Sequence, residues 1–259
     1  MTSALQVFDA AAVERYSRQL LLREVGEAGQ LRLAQSCAVV VGCGGLGVPA
    51  ALYLGAAGMG RLILVDPDTV ALDNLNRQVA YRTDEVGQPK AALLAERISE
   101  LNPTIEVVAH RDSVTEGSVG HLLTGADVVL ECSDDPVTKF LVNDFCVLEG
   151  IALVVGGAVG LAGQVVAVPS GGACYRCLFG GPPAHPGQSC REAGVLGPLV
   201  GIIGALQALE AIKLICGMGQ EPGGRLLDFD ASAVRWREVR FPRDPSCGVH
   251  GEGASRQRP

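Results

Sequence analysis

The chain has 259 residues, a formal net charge of −7, and hydrophobic side chains at 48% of positions with only 4% aromatic. That length and apolar content are enough for the core of one large α/β domain. The acidic balance and scattered Lys and Arg exclude a general nucleic-acid footprint, and the first 12 residues lack the cationic, apolar order of a signal peptide, so a cytoplasmic protein is expected.

Residues 1–35 read as a helical arm, and the apolar run 37–41 predicts the first strand, followed by a glycine turn and a helix over 46–57. A second strand over 61–65 leads through a long loop to a helix over 89–101, ended by Asn102-Pro103. Strands follow at 105–109, 126–132 and 152–156, with helices at 114–123 and 137–148 between them. This alternation predicts an α/β fold with a doubly wound, mostly parallel, Rossmann-like sheet. From Gly163 the pattern turns to short strands at 164–168, 225–230 and 233–241, expected to extend the sheet in antiparallel fashion around a long helix. Residues 193–209 are uncharged but contain Pro198 and are followed by Glu210 and Lys213. They fall short of the roughly 20 apolar residues of a membrane span and read as a helix buried in a core or a subunit interface. One domain over 1–250 with a disordered tail over 251–259 is expected.

Gly42, Gly44 and Gly47 form a G-x-G-x-x-G turn directly after the first strand. Such glycines let the chain turn sharply, bring backbone against phosphate, and pack the next helix on the sheet, whose free N–H groups attract an anion. Asp66, at the end of the second strand, is placed to accept a ribose hydroxyl. An NAD site needs little more, but Arg77 and Lys90 add two cations suited to neutralising a triphosphate as it reacts. A lysine in the first turn of a helix opposes the helix dipole, which favours a functional reason for Lys90.

Nine cysteines in this setting favour metal binding or reactive thiols over a disulfide framework. Cys37, Cys43, Cys132 and Cys146 lie in apolar elements and are expected to be small core residues. Cys174-Tyr175-Arg176-Cys177 and Cys247-Gly248-Val249-His250 together make a Cys₃His set for a closed, structural, tetrahedral zinc site. A redox role for the first pair fits poorly, because a thioredoxin-like motif opens a helix after the first strand of its unit. His110, His121 and His185 have no partner at useful spacing.

Arg15-Tyr16-Ser17-Arg18-Gln19, the glycine turn, Asp66-x-Asp68, Asn74-Leu75-Asn76-Arg77-Gln78, Gly87-Gln88-Pro89-Lys90, Glu131-Cys132-Ser133-Asp134, Cys174-x-x-Cys177 and Cys190-Arg191-Glu192-Ala193-Gly194-Val195 occur in this order. Over 15–250 the chain resembles the MoeB/ThiF/HesA family of sulfur-carrier adenylyltransferases, bacterial activating enzymes related to ubiquitin E1. It departs from the family pattern at Asp135, usually Asn, and at His250, usually Cys. The resemblance implies ATP over Gly42, Gly44, Gly45 and Gly47, Asp66 on the ribose, and Asn74, Arg77 and Lys90 around the phosphates, with Asn76 in the same segment. It also implies Mg²⁺ at Asp134, beside Asp135 at the nucleotide end of the site, and a homodimer in which Arg18 reaches the ATP of the other subunit. Asp134 equally suits the cap of the helix near Pro136, unless Asp135 or Ser133 caps it instead.

The implied reaction is attack on the α-phosphate by the C-terminal carboxylate of a small ubiquitin-like carrier ending in Gly-Gly, releasing pyrophosphate as a step toward a thiocarboxylate. In some relatives the cysteine matching Cys190 forms a covalent link to the carrier or takes part in sulfur transfer, and in others adenylation proceeds without it. Cys190 follows a Pro- and Gly-rich loop expected to be exposed. An end at Pro259 leaves no room for an appended rhodanese domain, so a separate sulfur donor is expected. Two alternatives stand beside this reading: an ATP-dependent dehydratase acting on a tRNA-linked carboxylate, disfavoured by the acidic balance, and an NAD-dependent oxidoreductase with structural zinc.

Overall fold

The computed structural model describes residues 8–182, 193–219 and 224–250. Eight strands among them form one sheet: β1 (Cys37–Val41), β2 (Arg61–Val65), β3 (Glu106–His110), β4 (Val128–Glu131), β5 (Ala152–Val159), β6 (Ala162–Val168), β7 (Gly224–Asp230) and β8 (Arg235–Phe241). Their spatial order is β3-β2-β1-β4-β5-β6-β7-β8, with parallel pairing from β3 to β5 and antiparallel pairing from β5 to β8. The doubly wound parallel sheet with an antiparallel extension is therefore as the sequence implies.

The central strands are almost wholly apolar because helices cover both their faces. Alternate residues separate cleanly: Ala38 and Val40 enter one core with Leu62, Leu64, Val128 and Leu130, while Val39 and Val41 enter the other with Val65, Val129 and Leu153. The first core is closed by α3 (Gly26–Gln35), α4 (Gly47–Ala57), α5 (Lys90–Leu101) and the long α9 (Gly197–Cys216), and the second by α6 (Val119–Leu123), α7 (Pro136–Glu149) and α8 (Tyr175–Phe179). Before α3 lie two short helices, α1 (Ala10–Arg15) and α2 (Ser17–Leu20).

Helix α9 has the length and apolar character of a membrane span, yet half of its most apolar window is buried within the fold. It begins near Pro198, ends at a left-handed Gly217, and inserts Gln207 into the sheet, where Nε2 donates to the carbonyls of Glu131 (2.9 Å) and Val154 (3.2 Å). That amide occupies the space where a side chain at residue 156 would start, a Cβ on Gly156 falling 2.2 Å from Gln207 Oε1.

Several boundaries differ from the sequence reading for local reasons. The helix expected over 114–123 shrinks to α6, because Ser118 Oγ accepts from the Thr115 amide and donates to the Ser113 carbonyl, turning the chain first. The last strand starts at Arg235 because Asp230 gathers the amides of Ser232 and Ala233 into a tight turn. The strand expected over 105–109 begins one residue later, at Glu106.

In register, Val41 pairs with both Val65 and Glu131, and Val65 pairs with His110, so the four parallel strands β3, β2, β1 and β4 end at the same level. Between β1 and β4 the winding reverses, which opens a crevice at the carboxyl ends of the strands. The turn entering it is packed backbone to backbone: a Cβ on Gly47 would lie 1.8 Å from the carbonyl oxygen of Gly42, whereas one on Gly44 would make only an ordinary 3.5 Å contact. Gly47→Ala is accordingly expected to cost about 1–3 kcal/mol of overpacking and Gly44→Ala no more than ~0.5 kcal/mol, compared by urea unfolding midpoints.

Candidate active site

Gly42 leaves β1 with φ +90°, and a Cβ on it would meet the backbone of Cys132 and Ser133 at 3.0 Å, so only glycine lets the turn touch the β4–α7 loop. A Cβ on Gly45 would press to 2.8 Å from Val200 on α9. The backbone N–H groups of Gly44 and Gly45 make no hydrogen bond among the described residues, and they stand just before the start of α4. Two unpaired donors at a helix N-terminus attract an anion.

These groups border a cavity of 1180 Å³, larger than the roughly 300–1,000 Å³ of a small-molecule pocket. Asp66 is buried on its wall, Oδ2 accepting from the Cys43 amide (2.6 Å) and Oδ1 from the Asp68 amide (2.8 Å). Burial raises the pKa of this carboxyl, against the opposing pull of those two amides and of Lys90. Lys90 is buried at the start of α5, with Nζ 3.0 Å from the Asp68 carboxylate. It is thus no solvated surface lysine.

Arg77 also lines the cavity, donating to the Asp73 carbonyl (2.8 Å) and Asn76 Oδ1 (3.1 Å), with no carboxylate partner among the described residues. Asn74 lines it too, its amide donating to Asp73 Oδ1. Asn76 does not reach the wall; it steadies Arg77 from behind. Arg18 is exposed on α2 and lies outside the cavity of its own chain.

The structure resolves which residue caps α7. Asp135 accepts from the amides of Val137 and Thr138 and from the Thr138 hydroxyl, while the Asp134 carboxylate, exposed at the cavity wall, has no hydrogen bond or ion pair among the described residues. Partial burial pushes the Asp135 pKa up, but the hydrogen bonds from Thr138 and Val137 outweigh it and hold the group below its usual value. Asp135 is therefore committed to the helix, and Asp134 is the carboxylate left unpartnered at the cavity wall among the described residues.

Two site residues escaped the sequence reading as functional side chains. Lys139, on the first turns of α7, pairs with fully buried Glu131 and donates to the carbonyls of Ser133 (2.7 Å) and Gly156 (2.8 Å). Glu131 in turn accepts from the amide and hydroxyl of Ser133, so every polar group of the residue before Asp134 is tied. Burial raises the Glu131 pKa, and Lys139 and Ser133 pull it back. The available signal was a lone lysine followed by the apolar Phe140, Leu141 and Val142, eight positions after a glutamate that ends an apolar strand.

Outside the lining of the cavity, Cys174, Cys177, Cys247 and His250 come together with their ligand atoms within 4.8 Å of one another. The Sγ of Cys174 is 3.7 Å from that of Cys177 and 3.8 Å from that of Cys247. A tetrahedral zinc with Zn–S bonds near 2.3 Å requires sulfurs about 3.8 Å apart, so the spacing fits. Among the described residues, Nε2 of His250 is buried without a partner, as an imidazole nitrogen reserved for a metal would be. Its Nδ1 meets Arg243 at 2.8 Å. Outside this cluster, burial raises the thiol pKa of Cys37, Cys43, Cys132, Cys146 and Cys216, that of Cys146 to about 12, which keeps them protonated and poor nucleophiles. Cys43, Cys132 and Cys146 are core residues as expected, and Cys37 is half-buried. Cys190 and the loop before it lie outside the described residues, as does the tail over 251–259.

A glycine turn with free amides at the switch point of a doubly wound sheet, backed by an acidic strand end and buried cations, defines a nucleotide-binding α/β protein. The ThiF family matches residues 16–249, and the chain belongs to that family. It is 44% identical to adenylyltransferase and sulfurtransferase MOCS3 of Caenorhabditis briggsae, covering 93% of this chain and 61% of that protein. To the sulfur carrier protein ThiS adenylyltransferase of Escherichia coli it is 42% identical, covering 92% of this chain and 94% of the relative. Among solved structures, E. coli MccB with ATP superposes with a TM-score of 0.79 at 24% identity, over 91% of this chain and 74% of that one, which shows the shared fold.

The division of labour between the two aspartates is testable. Asp135→Ala should lower stability by about 0.5–2 kcal/mol through loss of the cap, whereas Asp134→Ala should leave the urea midpoint unchanged.

Proposed function

We propose that this chain adenylates the C-terminal carboxylate of a small ubiquitin-like sulfur carrier protein. The observation that carries the reading is the convergence on one cavity of the free amides of Gly44 and Gly45, Asp66, Arg77, Lys90 and an unpartnered Asp134. Carboxylate and triphosphate are both anions, so the chemistry needs positioning and charge neutralisation rather than a protein nucleophile.

In this mechanism Asp66 accepts from the ribose, and Asn74, Arg77 and the glycine turn hold the phosphates. Lys90 exchanges its present partner Asp68 for the triphosphate. Asp134 supplies a ligand for Mg²⁺, which would neutralise phosphate charge. The carrier's terminal carboxylate then attacks the α-phosphorus in line, the bond to the β-phosphate oxygen breaks, and pyrophosphate departs with its charge held by the two cations. The acyl adenylate that remains is open to a sulfur nucleophile supplied by a separate donor. Arg18 is directed to the site of a second subunit in a homodimer, residues 1–250 act as one adenylation domain in the cytoplasm, and Cys190 is the candidate thiol for any covalent step. The Cys₃His cluster binds a structural zinc with no position left for water.

With Mg²⁺ and a Gly-Gly carrier, purified protein should exchange labelled pyrophosphate into ATP. Arg77→Ala and Lys90→Ala should each lower the exchange rate by about 10²–10³, the usual loss when one charge-stabilising group is removed. Wild-type rates in both variants would rule out the assignment.

Elemental analysis of protein purified without chelator should find one zinc per chain. Cys174→Ser or His250→Ala should lower both zinc content and unfolding temperature, since metal binding free energy contributes to folding. Full occupancy after His250→Ala would remove His250 from the ligand set.

A further inference from the structure

The cavity runs well beyond the glycine turn. Along the sheet, β6 lies three strand spacings from β1, about 14 Å at the usual interval of ~4.8 Å per strand. The wall at that distance carries Gly157 on β5, Gln164 on β6 and Asp228 on β7, which stand directly opposite one another in register. Tyr175, at the start of α8, lines the same cavity and is 7% exposed. Its ring packs against Phe140 and Phe179, with centroids 5.1 Å and 4.6 Å away, and its backbone N–H donates to Asn143 Oδ1 (2.8 Å). The phenol lies in the field of Glu131, the last residue of β4, and so toward the cavity end of the sheet. Among the described residues the Tyr175 hydroxyl makes no hydrogen bond, and neither does the carboxamide of Gln164.

Packing alone calls for neither group. A phenylalanine at 175 would keep both ring contacts, and a leucine at 164 would cover Gly157 equally well, whereas a tyrosine hydroxyl this deeply placed ordinarily has a partner. Both groups are neutral, and each can donate as well as accept. The one charge in the row across β5, β6 and β7 is the carboxylate of Asp228, paired with Arg237 at 2.8 Å, which disfavours a phosphate there. A peptide main chain, neutral and alternating N–H with C=O, matches such a wall. About four extended residues cover the distance from Gln164 to the glycine turn. Tyr175 also stands between the two cysteines of the C-x-x-C pair, so the contacts that hold Cys174 and Cys177 hold the phenol in place as well.

We infer that Tyr175 and Gln164 bind the main chain of the carrier's C-terminal tail, hydrogen-bonding to peptide groups about four residues before the carboxylate that is adenylated. This rests on the adenylation reading and names how the partner is held at that site. Main-chain contacts of this kind keep the tail extended toward the glycine turn whatever its side chains, and they leave nucleotide binding untouched.

The test compares wild type, Tyr175→Phe, Gln164→Leu and the double variant by zinc content, thermal unfolding, calorimetric titration with ATP, and pyrophosphate exchange at increasing concentrations of a purified Gly-Gly carrier. Each single variant should keep the wild-type zinc content, unfolding temperature and ATP affinity, because neither change removes a hydrogen bond within the protein. Each should need about three- to tenfold more carrier for half-maximal exchange, the loss expected for one neutral hydrogen bond, with the rate at saturating carrier near wild type. The double variant should need about ten- to a hundredfold more. An unchanged carrier dependence in either single variant would overturn the inference. Weaker ATP binding would move the two groups to the nucleotide and overturn it as well. A Tyr175→Phe protein that loses zinc or melts lower, with its carrier dependence intact, would make the residue structural and have the same result. Wild-type protein without carrier-dependent exchange would overturn the adenylation reading itself, whereas equal exchange by wild type and variants would overturn this inference alone.

Discussion

Everything in the site depends on the contact of two backbones at the centre of the sheet. The turn after β1 and the loop after β4 approach until Gly42 has no room for a side chain, and the same turn folds back until Gly47 touches Gly42. Because β1 and β4 are neighbours whose connections run in opposite directions, their carboxyl ends open one crevice instead of two. One wall of that crevice carries the free amides, and the other carries Asp134. The glycines are required by this closeness as much as by any ligand.

The charges around the crevice fall into two kinds. Lys139 is a closed group, with Glu131 and two carbonyls around its ammonium, and the same pair ties the peptide that presents Asp134. A buried pair of this sort is weak evidence for stability, since desolvating two charges offsets much of their attraction. It does fix geometry. Lys90 and Arg77 are open groups: Lys90 has an exposed partner in Asp68, which a polyanion can replace, and Arg77 leans only on carbonyl and amide oxygens. The fold thus holds one lysine rigid and keeps two cations available.

The sulfur cluster is tied to the same framework. Asn143 on α7 accepts from the Tyr175 amide and donates toward the sulfur of Cys174, and Arg176 pairs with Asp144 on the same helix. Helix α7 also carries the Asp135 cap and Lys139. A metal joining the segment after β6 to the segment after β8 would therefore brace the helix whose N-terminus follows Asp134.

By itself the sequence determined the parallel pairing of the first strands, the antiparallel extension, the glycine turn, the acidic strand end and the four residues of the Cys₃His cluster. Each of these is written in local pattern: continuous apolar runs, glycines at fixed spacing, and paired Cys and His in short loops. Only the tertiary structure decided between Asp134 and Asp135, because both residues suit a helix cap and the choice depends on where α7 meets the sheet. It also decided that Asn76 steadies Arg77 instead of reaching the cavity. The partnership of Glu131 with Lys139, the insertion of Gln207 between strands and the unpartnered phenol of Tyr175 were beyond local pattern for the same reason. Their partners, or the lack of them, are set by residues brought close from distant parts of the chain, and no spacing along the sequence records that proximity.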